Sequence, residues 1–160
     1  MKKIVIWITL AVILISINFL ILRKEYILNN SMTMFLKLVP IDPRSLMQGD
    51  YMILRYEIES KIPKSSLKSE GCLVVTLDHK KIAKFRRLHS GEKLSQAEHL
   101  LFYRKRKTLK IGAESFFFQE GDAKLYNKAK YGELKVENSG KSVLVGLRDV
   151  TLKKLGKSLK

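Results

Sequence analysis

The sequence predicts one N-terminal transmembrane helix followed by one β-dominated α+β domain of antiparallel strands, with a barrel-like closure among the arrangements open to it. Three observations carry this expectation. Residues 4–22 are nineteen consecutive positions without a charge. Residues 51–59 alternate, with Met52, Leu54, Tyr56 and Ile58 on one side and Arg55, Glu57 and Glu59 on the other, the period of a half-buried strand. Short β-rich runs then recur between clusters of Gly, Pro, Asn, Asp and Ser.

Taken in order, the apolar run at residues 4–22 is broken only by Thr9, Ser16 and Asn18. At about 1.5 Å of rise per residue it matches a hydrocarbon core of about 30 Å. A cleaved signal peptide is the competing reading, since Lys2 and Lys3 supply a basic start. The run exceeds the usual h-region of about 7–15 residues, and the residues after it are bulky where a peptidase needs small ones. The sole cysteine, Cys72, lies far from any lipobox position and leaves nothing for an intramolecular disulfide. Lys2 and Lys3 precede the run while Arg23 and Lys24 follow it, so the amino terminus tips the charge toward a cytoplasmic start. That places a single-pass signal anchor in the cytoplasmic (inner) membrane with the C-terminal domain extracytoplasmic; a cytoplasmic domain on a reversed anchor is the alternative.

Residues 25–34 read as a stem. A strand is expected at 35–39, stopped by Pro40, and Asp42 to Ser45 has turn chemistry. The alternating strand at 51–59 follows, then a loop or short helix at 61–69 around Pro63. Residues 72–77 and 82–88 form a hairpin turned by Asp78-His79-Lys80, and 100–105 and 109–112 a second one. Residues 115–118 read as a buried aromatic run and 121–130 as helical. Because side chains alternate, Phe116, Phe117 and Phe118 cannot all point inward, so at least one ring must face another surface. Residues 133–136 and 142–147 flank Asn138-Ser139-Gly140 as a terminal hairpin, and a basic tail from Lys153 is expected to fray. The resulting division is an anchor at 1–24, a stem at 25–34, the β-rich domain at 35–150 and a tail at 151–160.

The chain carries a formal charge of +16, and beyond residue 24 its 27 Lys/Arg against 15 Asp/Glu still leave +12. Residues 80–110 hold eleven Lys/Arg and only Glu92 and Glu98 as acids. Such a field draws a domain toward anionic surfaces, lipid headgroups included. The basic run Arg104-Lys105-Arg106-Lys107 beside Phe102 and Tyr103 has the composition of a phosphate-binding strand. Without a recognisable module, and behind an anchor, it reads as lipid attraction rather than nucleic-acid binding.

The octapeptide Gly49-Asp50-Tyr51-Met52-Ile53-Leu54-Arg55-Tyr56 reads G-D-Y-x-x-L-x-Y without a mismatch. It resembles the signature of the GDYXXLXY family of bacterial membrane-anchored proteins. The approach from Val39 to Gln48 and a later block agree with it: Phe117, Phe118, Glu120, Gly121, Tyr126, Ala129, Tyr131-Gly132-Glu133, Gly140, Leu144 and Gly146-Leu147-Arg148-Asp149. The resemblance covers roughly residues 34–149. It implies a tethered domain whose relatives are often encoded beside, or fused to, large polytopic membrane proteins, and it names no reaction.

The leading functional expectation is therefore a membrane-tethered accessory or interaction domain that partners a polytopic membrane protein, with no cofactor. The motif residues Gly49, Asp50, Tyr51, Leu54 and Tyr56 are expected to act mainly in folding. Arg44, Asp50, Tyr51 and Arg55 form the candidate surface site. Gly49-Asp50 reads first as a tight turn, with the Asp50 carboxylate accepting from nearby backbone amides. The alternative is an envelope enzyme acting on peptide or polysaccharide through Asp50, Arg44 and Tyr56. A sharper version compares residues 46–52 with the nucleophile box of type I signal peptidases, and Lys84 to Glu92 with their lysine box. There Ile41 stands where the serine should be, Ser45 sits too close to Gly49, and Lys84 lies among other cations, so the dyad fails at its nucleophile. His79, His89 and His99 are ten residues apart, which fits no common metal-ligand spacing, and Cys72 reads as a small strand hydrophobe.

Overall fold

The computed structural model describes residues 2–39, 51–119 and 121–156. It divides into two units, Met1–Ser31 and Met32–Lys160. The first is the helix α1 (Lys2–Asn30), within which Ile4–Glu25 is long and apolar enough to cross a membrane once. No residue of that span is buried against protein. A helix apolar on every face needs an apolar surrounding. The interrupting polar groups are satisfied within the helix: Thr9 Oγ1, Ser16 Oγ and Asn18 Nδ2 donate to the carbonyls of Val5, Val12 and Leu14. This is what a polar side chain in hydrocarbon requires. The segment read as a stem holds the last turns of α1 and, from Met32, the first strand.

Among its described residues the second unit has nine strands. β1 (Met32–Lys37), β8 (Tyr131–Val136) and β9 (Ser142–Arg148) form one antiparallel sheet in the order β1-β8-β9. β4 (Ala83–Leu88), β3 (Glu70–Leu77), β5 (Glu98–Lys105) and β6 (Leu109–Ile111) form a second sheet in that order. β2 (Tyr51–Ile53) and β7 (Ser115–Phe117) make a two-stranded ribbon. Short bridges link the pieces, Phe35 to Ile82 and Leu38 to Tyr56, so that the sheets curl as a half-barrel around one core.

That core follows the pleat. Met34 and Leu36 of β1, Leu101 and Tyr103 of β5, and Leu134 and Val136 of β8 are buried at every second position. β3 departs from this rule, with Leu73, Val74 and Val75 all buried, and so does β8 at Gly132, Glu133 and Leu134. A register shift between Val74 and Val75 in the pairing with β4 re-aims the chain there, as a bulge does. The two long hairpins and the terminal hairpin form as the sequence predicts. The segment around Pro63 is a short 3₁₀ turn, Lys64–Ser66.

Four expectations need correction. The strand expected over 51–59 ends at Ile53, and Glu57–Lys61 is a 3₁₀ helix. Its turn is closed by Glu59, whose amide donates to Tyr56 O at 3.1 Å and whose carboxylate accepts from Tyr56 N at 3.2 Å. The inward set Met52, Leu54, Tyr56 and Ile58 is nonetheless buried throughout. The run at 115–118 is buried only in part, and Phe117, 73 % exposed, is the ring that the alternation of side chains required to face outward. The helical stretch at 121–130 amounts to one turn, α2 (Ala123–Tyr126). The chain beyond Lys153 does not fray at once: Leu155 N donates to Leu147 O and its side chain is buried in the core.

Candidate functional site

The motif region begins with a ribbon whose two faces differ. In β2, Met52 is buried, while Tyr51 is half-buried and Ile53 exposed on the other side. Pairing with β7 sets Tyr51 opposite Phe117, their ring centroids 5.6 Å apart and tilted by 39°. Edge-tilted rings at this spacing attract beyond their area of contact. Phe116, on the inner face, packs instead on Tyr126 at 5.1 Å, and Phe118 meets the same ring at 5.0 Å. One aromatic of the three faces outward, as the alternation of side chains demands.

Leu54 and Tyr56 tie the motif to the rest of the fold. Leu54 is buried, and its amide donates to Glu114 O at 2.7 Å, continuing the ribbon by one step. The Tyr56 ring is 2 % exposed, and its hydroxyl donates to Ala113 O at 2.9 Å. Desolvation pushes that phenol well above its ordinary value. A Cβ placed on Gly132 would stand 3.2 Å from the Tyr56 ring, so the glycine of Tyr131-Gly132-Glu133 leaves the space that the motif tyrosine fills. The motif and the later sequence block thus meet in one contact.

The later block also holds an ion pair of its own. Arg148 donates from Nε and Nη2 to Glu133 Oε2 at 2.9 and 2.7 Å, and from Nη1 to Leu152 O at 3.2 Å. Its guanidinium lies 5.9 Å from the centre of the Phe35 ring. Asp149 follows it as a turn cap, accepting from the Thr151 amide and hydroxyl and the Lys153 amide.

Beside the motif opens a cleft of about 550 Å³, between residues 53–56 on one wall and the β5–β6 hairpin on the other. Arg55, Lys105, Lys107 and Lys110 line it together with Glu59 and Glu114. Lys110 is held by Glu114, and Lys105 Nζ reaches Leu67 O at 3.5 Å. Burial raises the Glu59 carboxyl above its ordinary value, against the downward pull of the Tyr56 amide and of Arg55. The sequence left Glu59 on the polar side of a strand and gave no signal for Glu114. What joins them is the 3₁₀ turn and the bend after β6.

Of the predicted site residues, Tyr51 and Arg55 lie on the outward side of the motif segment, and Leu54 and Tyr56 lie in the core. Gly49, Asp50 and Arg44 lie outside the described residues, as do Ile41, Ser45 and the expected turn at 42–45. Tyr56 is corrected as a polar site candidate, because its hydroxyl is already engaged inside the core. Lys84 is exposed on β4. Among the described residues no group of three or more His, Cys, Asp or Glu side chains converges as a metal site would. Cys72 is half-buried in β3, and burial raises its thiol.

A sequence profile described as GDYXXLXY protein matches residues 13–147. No curated protein and no solved structure matches the chain. A profile match over most of the length, together with a motif whose last tyrosine packs against the glycine of the second block, establishes that the chain belongs to the GDYXXLXY family.

Proposed function

We propose that this protein is a membrane-tethered accessory domain that binds a polytopic membrane protein through the outer face of the β2–β7 ribbon. The observation that carries this reading is the outward aromatic pair, exposed Phe117 against half-buried Tyr51, with exposed Ile53 beside it on a two-stranded ribbon. A clustered apolar surface of this kind, rimmed by cations such as Arg55, favours a protein partner over water. The anchor sits in the cytoplasmic membrane and the domain lies on its outer side, in keeping with Lys2 and Lys3 ahead of the span. The enzymatic alternative, acting on peptide or polysaccharide, has less support. Of its three polar candidates, Tyr56 spends its hydroxyl on Ala113 O.

The reading expects a neighbouring reading frame that encodes a multi-pass protein, and co-expression of the full chain with that product, followed by pull-down from detergent, tests it. The expected result is co-purification with the native anchor present, weakened by Phe117→Ala and Tyr51→Ala. Recovery at background level with the native sequence would sink it. A C-terminal alkaline phosphatase fusion should be active if the domain is outside; an inactive phosphatase paired with a bright cytoplasmic reporter would reverse the orientation.

A further inference from the structure

The cleft beside the motif has a composition that the partner reading leaves unused. Four cations line it against two carboxylates, and one of the cations, Lys110, is already bound to Glu114. Exposed Lys107 on one wall and Arg55 on the other, the latter within electrostatic reach of Glu59 but in no ion pair with it, face the cleft and leave it a net positive lining for an anion. Val39, Ile53, Leu67 and Leu109 supply apolar lining between them. A volume of about 550 Å³ suits a small molecule rather than a folded partner. Basic rim and apolar lining together fit an amphiphile with an anionic head, and a chain carrying a membrane-spanning helix meets such molecules at high local concentration.

We propose that this cleft holds the headgroup of an anionic phospholipid, with Arg55 and Lys107 on its phosphate and Ile53 and Leu109 against the first carbons of its acyl chains. The cleft shares Ile53 and Arg55 with the edge of the ribbon surface but not the Tyr51–Phe117 pair, and it does not rest on the partner reading. Binding of lipid and recovery of a partner are separate measurements, so either can fail alone.

The test uses the full chain in non-ionic detergent, titrated with dihexanoyl phosphatidylglycerol while the amide resonances of residues 53–56 and 107–111 are followed. Dihexanoyl phosphatidylcholine, inorganic phosphate and a heptapeptide of alternating glutamate and valine are the comparison ligands. Phosphatidylglycerol is expected to shift those resonances saturably and to bind at least about fivefold more tightly than the other three, the scale of one basic contact near a lipid surface. Lys107→Glu should lower its affinity by about fivefold or more. Lys128→Glu, an equal charge change on an exposed residue that does not line the cleft, should change it less than about twofold. Equal losses from the two variants would mean that the overall field attracts lipid without a site, and the proposal would be wrong. Phosphatidylcholine or inorganic phosphate binding as tightly would also overturn it, as would preferential binding of the acidic peptide or the absence of any saturable shift.

Discussion

Tyr56 shows how one side chain serves both halves of the signature. Its ring fills the space over Gly132, and its hydroxyl satisfies Ala113 O, which no other described donor reaches. Tyr56→Phe keeps the ring and leaves that carbonyl without a partner, so it should cost about 1–2 kcal/mol by thermal or chemical denaturation of the full chain in detergent. Leu54→Ala removes a buried side chain that the neighbours cannot replace, and about 2–5 kcal/mol is expected. Tyr51→Ala strips an outward ring that touches Phe117, and it should leave the melting temperature nearly unchanged while weakening association. If Tyr51→Ala unfolds the domain as badly as Leu54→Ala, both faces of the ribbon are core and the contact surface is wrong. Gly49→Val tests whether Gly49 holds a positive φ, where a β-branched side chain is disfavoured; a stability unchanged by it would remove the turn reading.

At the scale of elements, the terminal hairpin is held from two sides. Its turn glycine, Gly140, has φ +85°, and a Cβ there would come within 3.0 Å of Phe102 N, whose amide donates to Gly140 O at 2.8 Å. The turn of β8–β9 is thereby fastened to β5 of the other sheet. Gly140→Ala pays for left-handed backbone and for that close approach, and a loss of about 1–3 kcal/mol is expected in the unfolding curve. Along the same hairpin, Glu133→Ala would leave the Arg148 guanidinium half-buried without its carboxylate. The cost should reach roughly 2–3 kcal/mol, short of the fully buried limit because Arg148 keeps some solvent and its bond to Leu152 O. Restoration of stability by the second substitution Arg148→Met would show that the pair, not either residue, sets the loss.

For the whole molecule, the carboxylates predict the acid limb of stability. Among the described residues four are held below their ordinary values: Glu57 by a hydrogen bond from Lys37, Asp78 by the Ile82 amide, Glu98 by the Ser95 amide and Asp149 by the Thr151 hydroxyl. A carboxyl with a depressed folded pKa contributes stability above its unfolded value that is lost as pH falls through the folded one. Glu59 has the opposite sign: its raised value favours the fold at low pH, and that contribution fades as pH rises. Four against one, the melting temperature should fall on acidification from about pH 5 to 3, and Asp149→Asn should shrink that fall. A melting temperature constant across this range would contradict the assignment. At the alkaline end, Tyr56 and Lys37 are both raised, so stability should also decline above about pH 10.

Features that depend on local periodicity are legible in the chain. Residues 4–22 specify an apolar helix through composition alone, and the alternation at Met52, Leu54, Tyr56 and Ile58 specifies which side chains are buried, whether or not the backbone stays extended. Turn chemistry at Asp78 and at Asn138-Ser139-Gly140 likewise located two hairpins, because a turn is written in neighbouring residues. Contacts between distant segments needed the tertiary structure. The seat of Tyr56 under Gly132, the choice of Phe117 rather than Phe116 as the outward ring, and the gathering of Arg55, Lys107 and Glu114 around one cleft join residues far apart in the chain. Strand pairing decides those neighbours, and the pairing of β2 with β7 depends on how three sheets share one core, which no local pattern encodes.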